Sequence, residues 1–219
     1  MTLCIKTGMT SEYKLAKAYA APDALVLTGK QTVEDLHKNV GDSCTGIISF
    51  GLCGGLAFQA HIGQVFLANY VVTPQATYQA DPDWLKRLFD ATHAYERHYW
   101  STGEFNTANT IQERNRLFEH TKCWVIDDES YAVAQFAKER NIPFAVMRSV
   151  SDGAEDNLPP AVTDALDESG SANLWNVIKS VATNPFQIPA LFKTAQEYFK
   201  SLDTLRTAAI QVGPHFRLV

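Results

Sequence analysis

The chain has 219 residues, 19 Lys and Arg against 24 Asp and Glu, a net charge of −5 and 46% hydrophobic residues. That length suits one domain, or one domain with an appendage, and the apolar content is too high for a disordered chain. The acidic balance excludes nucleic acid as a main partner, because phosphate binding needs a basic face.

Short β-like runs alternate with helix-like runs along the chain. Strands are predicted at residues 3–7, 24–28, 46–50, 64–72, 124–127 and 144–150, several of them continuously apolar, as strands buried on both faces are. Helices are predicted at 11–20, after the capping pair Asp81-Pro82, at 110–118, at 130–140 and from about Ile188 onward. The alternation predicts an α/β fold: a single three-layer domain with a central mixed, mostly parallel sheet flanked by helices. Residues 1–182 are expected to form this domain. Residues 183–219 are expected to form a helical extension that packs on it or lids it, after a Gly-, Pro- and Ser-rich loop at 153–173. In that extension Leu191, Phe192, Ala195, Tyr198, Phe199, Leu202 and Leu205 fall at helical spacing, which reads as core packing or as a greasy lid or membrane-surface helix.

Residues 43–80 contain no Asp, Glu, Lys or Arg. Ser49, Gly51, Gly54, Gly55, Gln59 and His61 interrupt the stretch too often for a membrane span. It reads as two buried strands flanking a glycine-rich loop. The start of the chain lacks a signal-peptide pattern. Cys4, Cys44, Cys53 and Cys123 form no C-x-x-C pair and read as reduced core thiols of a cytoplasmic protein. The six histidines show no ligand spacing, so no metal site is expected.

Open α/β sheets bind ligands beyond the carboxyl ends of their strands. Four such places carry suggestive residues. Gly51-Leu52-Cys53-Gly54-Gly55 lets backbone approach a ligand, or makes a tight turn. Asp127-Asp128-Glu129 caps the following helix, or binds a ribose diol. Ser151-Asp152-Gly153 is turn chemistry, or holds a partly desolvated acid. Glu12 is an exposed residue of a first helical turn when taken in isolation.

Together and in this order, these places resemble the purine nucleoside phosphorylase and nucleosidase superfamily. The likeness rests on Gly8-Met9-Thr10-Ser11-Glu12, on Ser49-Phe50-Gly51-Leu52-Cys53-Gly54-Gly55-Leu56, on Ile126-Asp127-Asp128-Glu129-Ser130 and on Asn141-Ile142-Pro143 running through to Ser151-Asp152. The tail, from Asp152 to Pro160 and then Asn184-Pro185-Phe186-Gln187-Ile188-Pro189-Ala190-Leu191, is similar to the hopanoid-associated phosphorylase branch, which is linked to adenine removal from adenosylhopane.

The resemblance implies cleavage of an N-glycosidic bond in a 5′-substituted adenosine. Asp152 matches the proton donor to the base, and Glu12 the carboxylate that positions attacking water. Glu129 matches the ribose carboxylate. Asp128, Gly54, Gly55, Cys53, Ser151 and Phe105 fall around the substrate. The family usually has Met where Asp128 stands, and Leu52 replaces a small polar residue available to phosphate. Hydrolysis is therefore favoured over phosphorolysis. No cofactor is implied, although phosphate stays open as a co-substrate. The expected partners are a small nucleoside, lipid-linked or not, and a second copy in a dimer, with peripheral contact at the inner membrane surface. The alternatives are a methylthioadenosine-type nucleosidase, a purine nucleoside phosphorylase, or a catalytically silent nucleoside-binding protein.

Overall fold

The computed structural model describes residues 2–101, 108–163 and 183–218. In chain order the elements are β1 (Thr2–Lys6), α1 (Thr10–Tyr19), β2 (Leu25–Leu27), α2 (Val33–Asn39), β3 (Cys44–Gly55), β4 (Val65–Val72), β5 (Thr77–Gln79) and α3 (Pro82–Thr92). Then follow β6 (Tyr95–Ser101), α4 (Ile111–Thr121), β7 (Val125–Asp127), α5 (Ser130–Arg140), β8 (Phe144–Asp152), the short α6 (Pro160–Thr163) and α7 (Ile188–Val212).

The strands form one mixed sheet. β1 runs parallel to β2 and β3, and β3 runs parallel to β8. β8 pairs antiparallel with β4, which pairs parallel with β6, and β6 parallel with β7. β7 then meets the far end of β3 at Gly54 and Gly55. The path β3-β8-β4-β6-β7 therefore closes on itself, and only the short β2 and β5 are left as edges of the sheet.

Side-chain alternation splits the core in two. On one face Cys4, Ile47 and Val146 pack with Leu36 of α2 and Phe136 of α5. On the other, Ile5, Ile48 and Met147 pack with Ala16 of α1, Trp84 of α3 and Leu205 of α7. These are the three layers that the alternation of strands and helices predicted. Residues 43–80 hold three strands, and β3 is buried over nearly its whole length, which is why it carries no charge.

Two readings of the chain are corrected. The glycine-rich stretch 51–55 is not a loop: β3 runs through it, and Leu52, Cys53 and Gly54 pair with Ser149, Val150 and Asp152 of β8. Apolar Leu52 and Cys53 keep the strand going, and the glycines serve contacts described below. Likewise Ser151 and Asp152 do not form a turn but end β8. Four elements had no sequence signal, one of them the short α6, which lies within the stretch 153–173 expected to be a loop. α2 spans seven residues and buries only Leu36. β5 spans three residues, and β6, Tyr-Glu-Arg-His-Tyr-Trp-Ser, carries charged residues where a strand is expected to be apolar.

α7 divides along its length. Ser201, Leu205, Ala208, Ala209 and Val212 are buried, and the Ser201 hydroxyl donates to the Val150 carbonyl at 2.5 Å. Phe192 and Phe199 stand 69% and 66% exposed on the opposite side. Phe216, just beyond the helix, is buried edge-on against Phe50 at 5.2 Å, and its carbonyl accepts from Trp84 Nε1 at 2.6 Å. No helix among the described residues is long and apolar enough to cross a membrane.

Candidate active site

The carboxyl ends of β1, β3, β7 and β8 bring Glu12, Glu129 and Asp152 to one region. Glu12 is not the exposed helix residue that its local sequence suggests, because it is 1% exposed. Its Oε2 accepts from the backbone N–H of Gly8 and of Met9, both at 2.8 Å, and its Oε1 from Leu52 N–H at 2.7 Å. Burial raises its carboxyl above the usual range, while Arg148 opposes the rise and Glu129 adds to it. A buried carboxyl that takes up protons more readily than usual suits a general base.

The glycines explain how carboxylates come this close to backbone. A Cβ on Gly51 would lie 2.7 Å from the Glu12 carboxyl oxygens, and one on Gly8 would overlap Glu129 Oε1. One on Gly54 would sit 3.0 Å from Asp152 Oδ2. Glu12 thus faces β3 at Gly51 and Asp152 faces it at Gly54, three residues or roughly 10 Å further along an extended strand. Gly55 gives its carbonyl to Arg114.

The three consecutive acids separate into three environments. Asp127 is a structural anchor. Its Oδ1 accepts from the N–H of Ser130 at 2.8 Å and of Glu129 at 3.1 Å, and from Ser101 Oγ at 2.9 Å; its Oδ2 accepts from Ser130 Oγ at 2.6 Å. Glu129 turns to Gly8 and pairs with Arg148 Nη1 at 2.8 Å. Asp128 and Lys30 line a cleft on whose wall Glu129 also stands.

Sequence reasoning missed three buried cations. Arg148 binds Asp127 through Nε at 3.2 Å, and Glu129 and the Leu52 carbonyl through Nη1. Its Nη2 donates to Ser49 Oγ at 2.7 Å. Burial works against its charge, but Asp127, Glu129 and Glu12 outweigh that and raise it above the ordinary guanidinium value. Lys6 is fully buried and donates to the carbonyls of Thr7 at 2.7 Å and Gly29 at 2.8 Å. Burial lowers its pKa, against the pull of Glu129 and Glu12.

Arg114 of α4 donates through Nη1 to the carbonyls of Gly55, Asp152 and Gly153, and its Nη2 is ion-paired with Asp152 Oδ2. The Ser151 hydroxyl lies 2.6 Å from the other oxygen, Asp152 Oδ1. Single Lys and Arg residues at strand or helix positions carry no motif. The only signal for Lys6 was a charge closing an apolar strand.

Of the remaining expected site residues, Cys53 packs in the core between the sheet and α5, and Phe105 lies outside the described residues. α7 flanks the site. Tyr198 OH lies 2.5 Å from Ser11 Oγ, one residue before Glu12, and Lys193 is ion-paired with Asp156.

Carboxylates gathered at the strand ends of a mixed sheet mark the ligand-binding end of an α/β protein. The chain belongs to the phosphorylase superfamily, whose sequence pattern it matches over residues 16–183. No curated protein matches its sequence. Its fold is similar to that of the 5′-methylthioadenosine/S-adenosylhomocysteine nucleosidase from Helicobacter pylori, in a structure with butyl-thio-DADMe-Immucillin-A: TM-score 0.64, 12% identity, 95% of this chain and 97% of that one. It is also similar to the futalosine hydrolase of Helicobacter pylori, at TM-score 0.60 and 14% identity over 94% and 97% of the two chains. The corresponding nucleosidase from Neisseria meningitidis, in complex with methylthio-immucillin-A, gives TM-score 0.62 and 14% identity over 95% and 97%.

Proposed function

We propose that this protein hydrolyses the N-glycosidic bond of a 5′-substituted adenosine and releases adenine. The observation that carries this reading is the placement of Glu12, Glu129 and Asp152 around Gly8, Gly51 and Gly54. Breaking the bond leaves an oxocarbenium-like sugar, which nearby carboxylates stabilise. Glu129 accepts hydrogen bonds from the ribose hydroxyls. Glu12 takes a proton from water as the water oxygen bonds to C1′. The C1′–N9 bond breaks towards adenine, and Asp152 supplies the proton that the departing base needs at N7. Arg114 occupies Oδ2, so Oδ1, beside Ser151, is the oxygen through which that proton passes.

Water is favoured over phosphate because Lys6, Arg114 and Arg148 are each bound to carbonyl or carboxylate oxygens. The nucleosidase names of the similar structures support the same reading. The test is adenine release from 5′-alkylthioadenosines with and without phosphate. Release that does not need phosphate, with free sugar as product, is expected. Tight binding without release would instead identify a silent nucleoside-binding protein.

A second reading concerns the 5′ group. Phe192 and Phe199 stand exposed on the outer side of α7, the helix that borders the site through Tyr198 and Lys193. This favours a substrate with a long apolar tail, of which adenosylhopane is the sharpest case. Turnover that rises with alkyl chain length is expected, and equal rates for short and long chains would remove the lipid reading.

A further inference from the structure

Beyond Glu129 lies a cavity of about 650 Å³ between α2, with the loop before it, and α5. Lys30, Glu34, His37, Asp128, Glu129, Tyr131 and Glu139 are the charged or titratable groups that line it. Three are already matched: Glu129 is paired with Arg148, and Glu139 with His37 at 2.8 Å. Glu34 and Asp128 make no hydrogen bond or ion pair closer than 4 Å among the described residues, but Glu34 is exposed to solvent and Asp128 is half-buried. A half-buried carboxyl on a cavity wall without a partner is costly. It is also the position where the resemblance leads one to expect Met.

We propose that this cavity is a binding site for an organic ammonium group, with Asp128 as its counter-ion. The ammonium comes either from the substituent of the nucleoside or from a separate small amine. The volume is in the range of pockets that hold small organic ligands. With Glu34 at the same cleft, carboxylates outnumber cations there.

The chemistry of Asp128 makes the site proton-linked. Burial, and then the negative charges of Glu129 and Asp127, push its carboxyl up to about 8, while Arg148 and Lys30 oppose the shift. Near neutrality it is therefore mostly protonated. An ammonium ion stays charged throughout this range, as lysine does, and it draws the carboxyl back to its anion. Binding then releases a proton into solvent and strengthens as pH rises towards 8.

The test is calorimetric titration of the whole protein with 1,4-diaminobutane, with 1,4-butanediol as the uncharged control. The diamine is expected to bind and the diol not. Affinity should rise about twentyfold between pH 6.5 and 8.5, from the ionisation of one group at about 8. Asp128→Asn should remove both binding and its pH dependence. Equal binding of diol and diamine, or an affinity flat with pH, overturns the proposal. The wild-type pH series decides the matter even if the variant does not fold.

A second arm identifies the source. A lower KM for 5′-(3-aminopropylthio)adenosine than for 5′-butylthioadenosine assigns the ammonium to the substrate. Equal KM values with diamine binding retained assign it to a separate amine. Only this arm rests on the nucleosidase reading. Failure to release adenine from either compound would sink that reading and leave the diamine titration to decide the site.

Discussion

At the scale of single residues, the site is an arrangement of carboxylates pressed against backbone where no Cβ stands in the way. Gly51→Ala places a methyl 2.7 Å from the Glu12 carboxyl oxygens. Glu12 cannot retreat without giving up its three backbone N–H donors. We expect the variant to lose about 1–3 kcal/mol of stability in urea unfolding, the usual cost of overpacking, and to lose activity with it. Asp152→Asn keeps the shape and removes the proton. Turnover should fall about a hundred- to ten-thousand-fold while the unfolding midpoint stays close to wild type; near-normal turnover would remove Asp152 as the acid.

Arg114→Met leaves Asp152 Oδ2 and three carbonyls without their buried donor. A loss of about 3–5 kcal/mol is expected by chemical denaturation. Glu129 and Asp152 were legible in the sequence because each follows an apolar strand, whereas Glu12 was singled out only by the family resemblance. Arg114, Lys6 and Arg148 were not legible, because a buried cation is defined by partners distant in sequence. Nor does the run Asp127-Asp128-Glu129 show that one acid anchors, one pairs with Arg148 and one stands unpaired on a cleft wall.

At the scale of elements, the strands that form the middle of the sheet were the readable ones, since burial on both faces leaves an uninterrupted apolar run. β6 was hidden by its Glu, Arg and His. The glycine stretch was misjudged because glycine marks turns in most contexts. Here it marks a strand whose side-chain space is filled by a neighbour's carboxylate.

α7 showed its periodicity but not its division into a packed half and an exposed one. Its packed end can be tested through Phe216, which is buried against Phe50 and linked to Trp84. Phe216→Ala should cost about 3–5 kcal/mol. Phe192→Ser and Phe199→Ser, at exposed positions, should leave the urea midpoint nearly unchanged. In the tail-length assay the same two changes should slow long-chain substrates more than short ones. An equal effect on both would detach the outer face of α7 from substrate selection.

At the scale of the whole molecule, layers and chain order were legible, and the closure of the sheet was not. Alternating strand and helix signals imply a parallel-rich sheet between helices, and the two cores follow from the side-chain alternation along β1, β3 and β8. Closure depends on β7 meeting β3 at Gly54 and Gly55, a contact between segments some seventy residues apart. That contact also brings Glu129, just beyond β7, to the region of Glu12 of α1 and Asp152 at the end of β8. The uncharged stretch 43–80 supplies the apolar body of this arrangement, and the charges that matter come from elsewhere to meet it. The central claim is that these carboxylates cleave a nucleoside with water. It is tested most directly by following adenine release from 5′-methylthioadenosine and 5′-butylthioadenosine by the purified protein, with phosphate present and absent, and identifying the sugar. Adenine with free 5-substituted ribose, at the same rate without phosphate, is the predicted result; no adenine under either condition, or a sugar 1-phosphate formed only with phosphate, would contradict it.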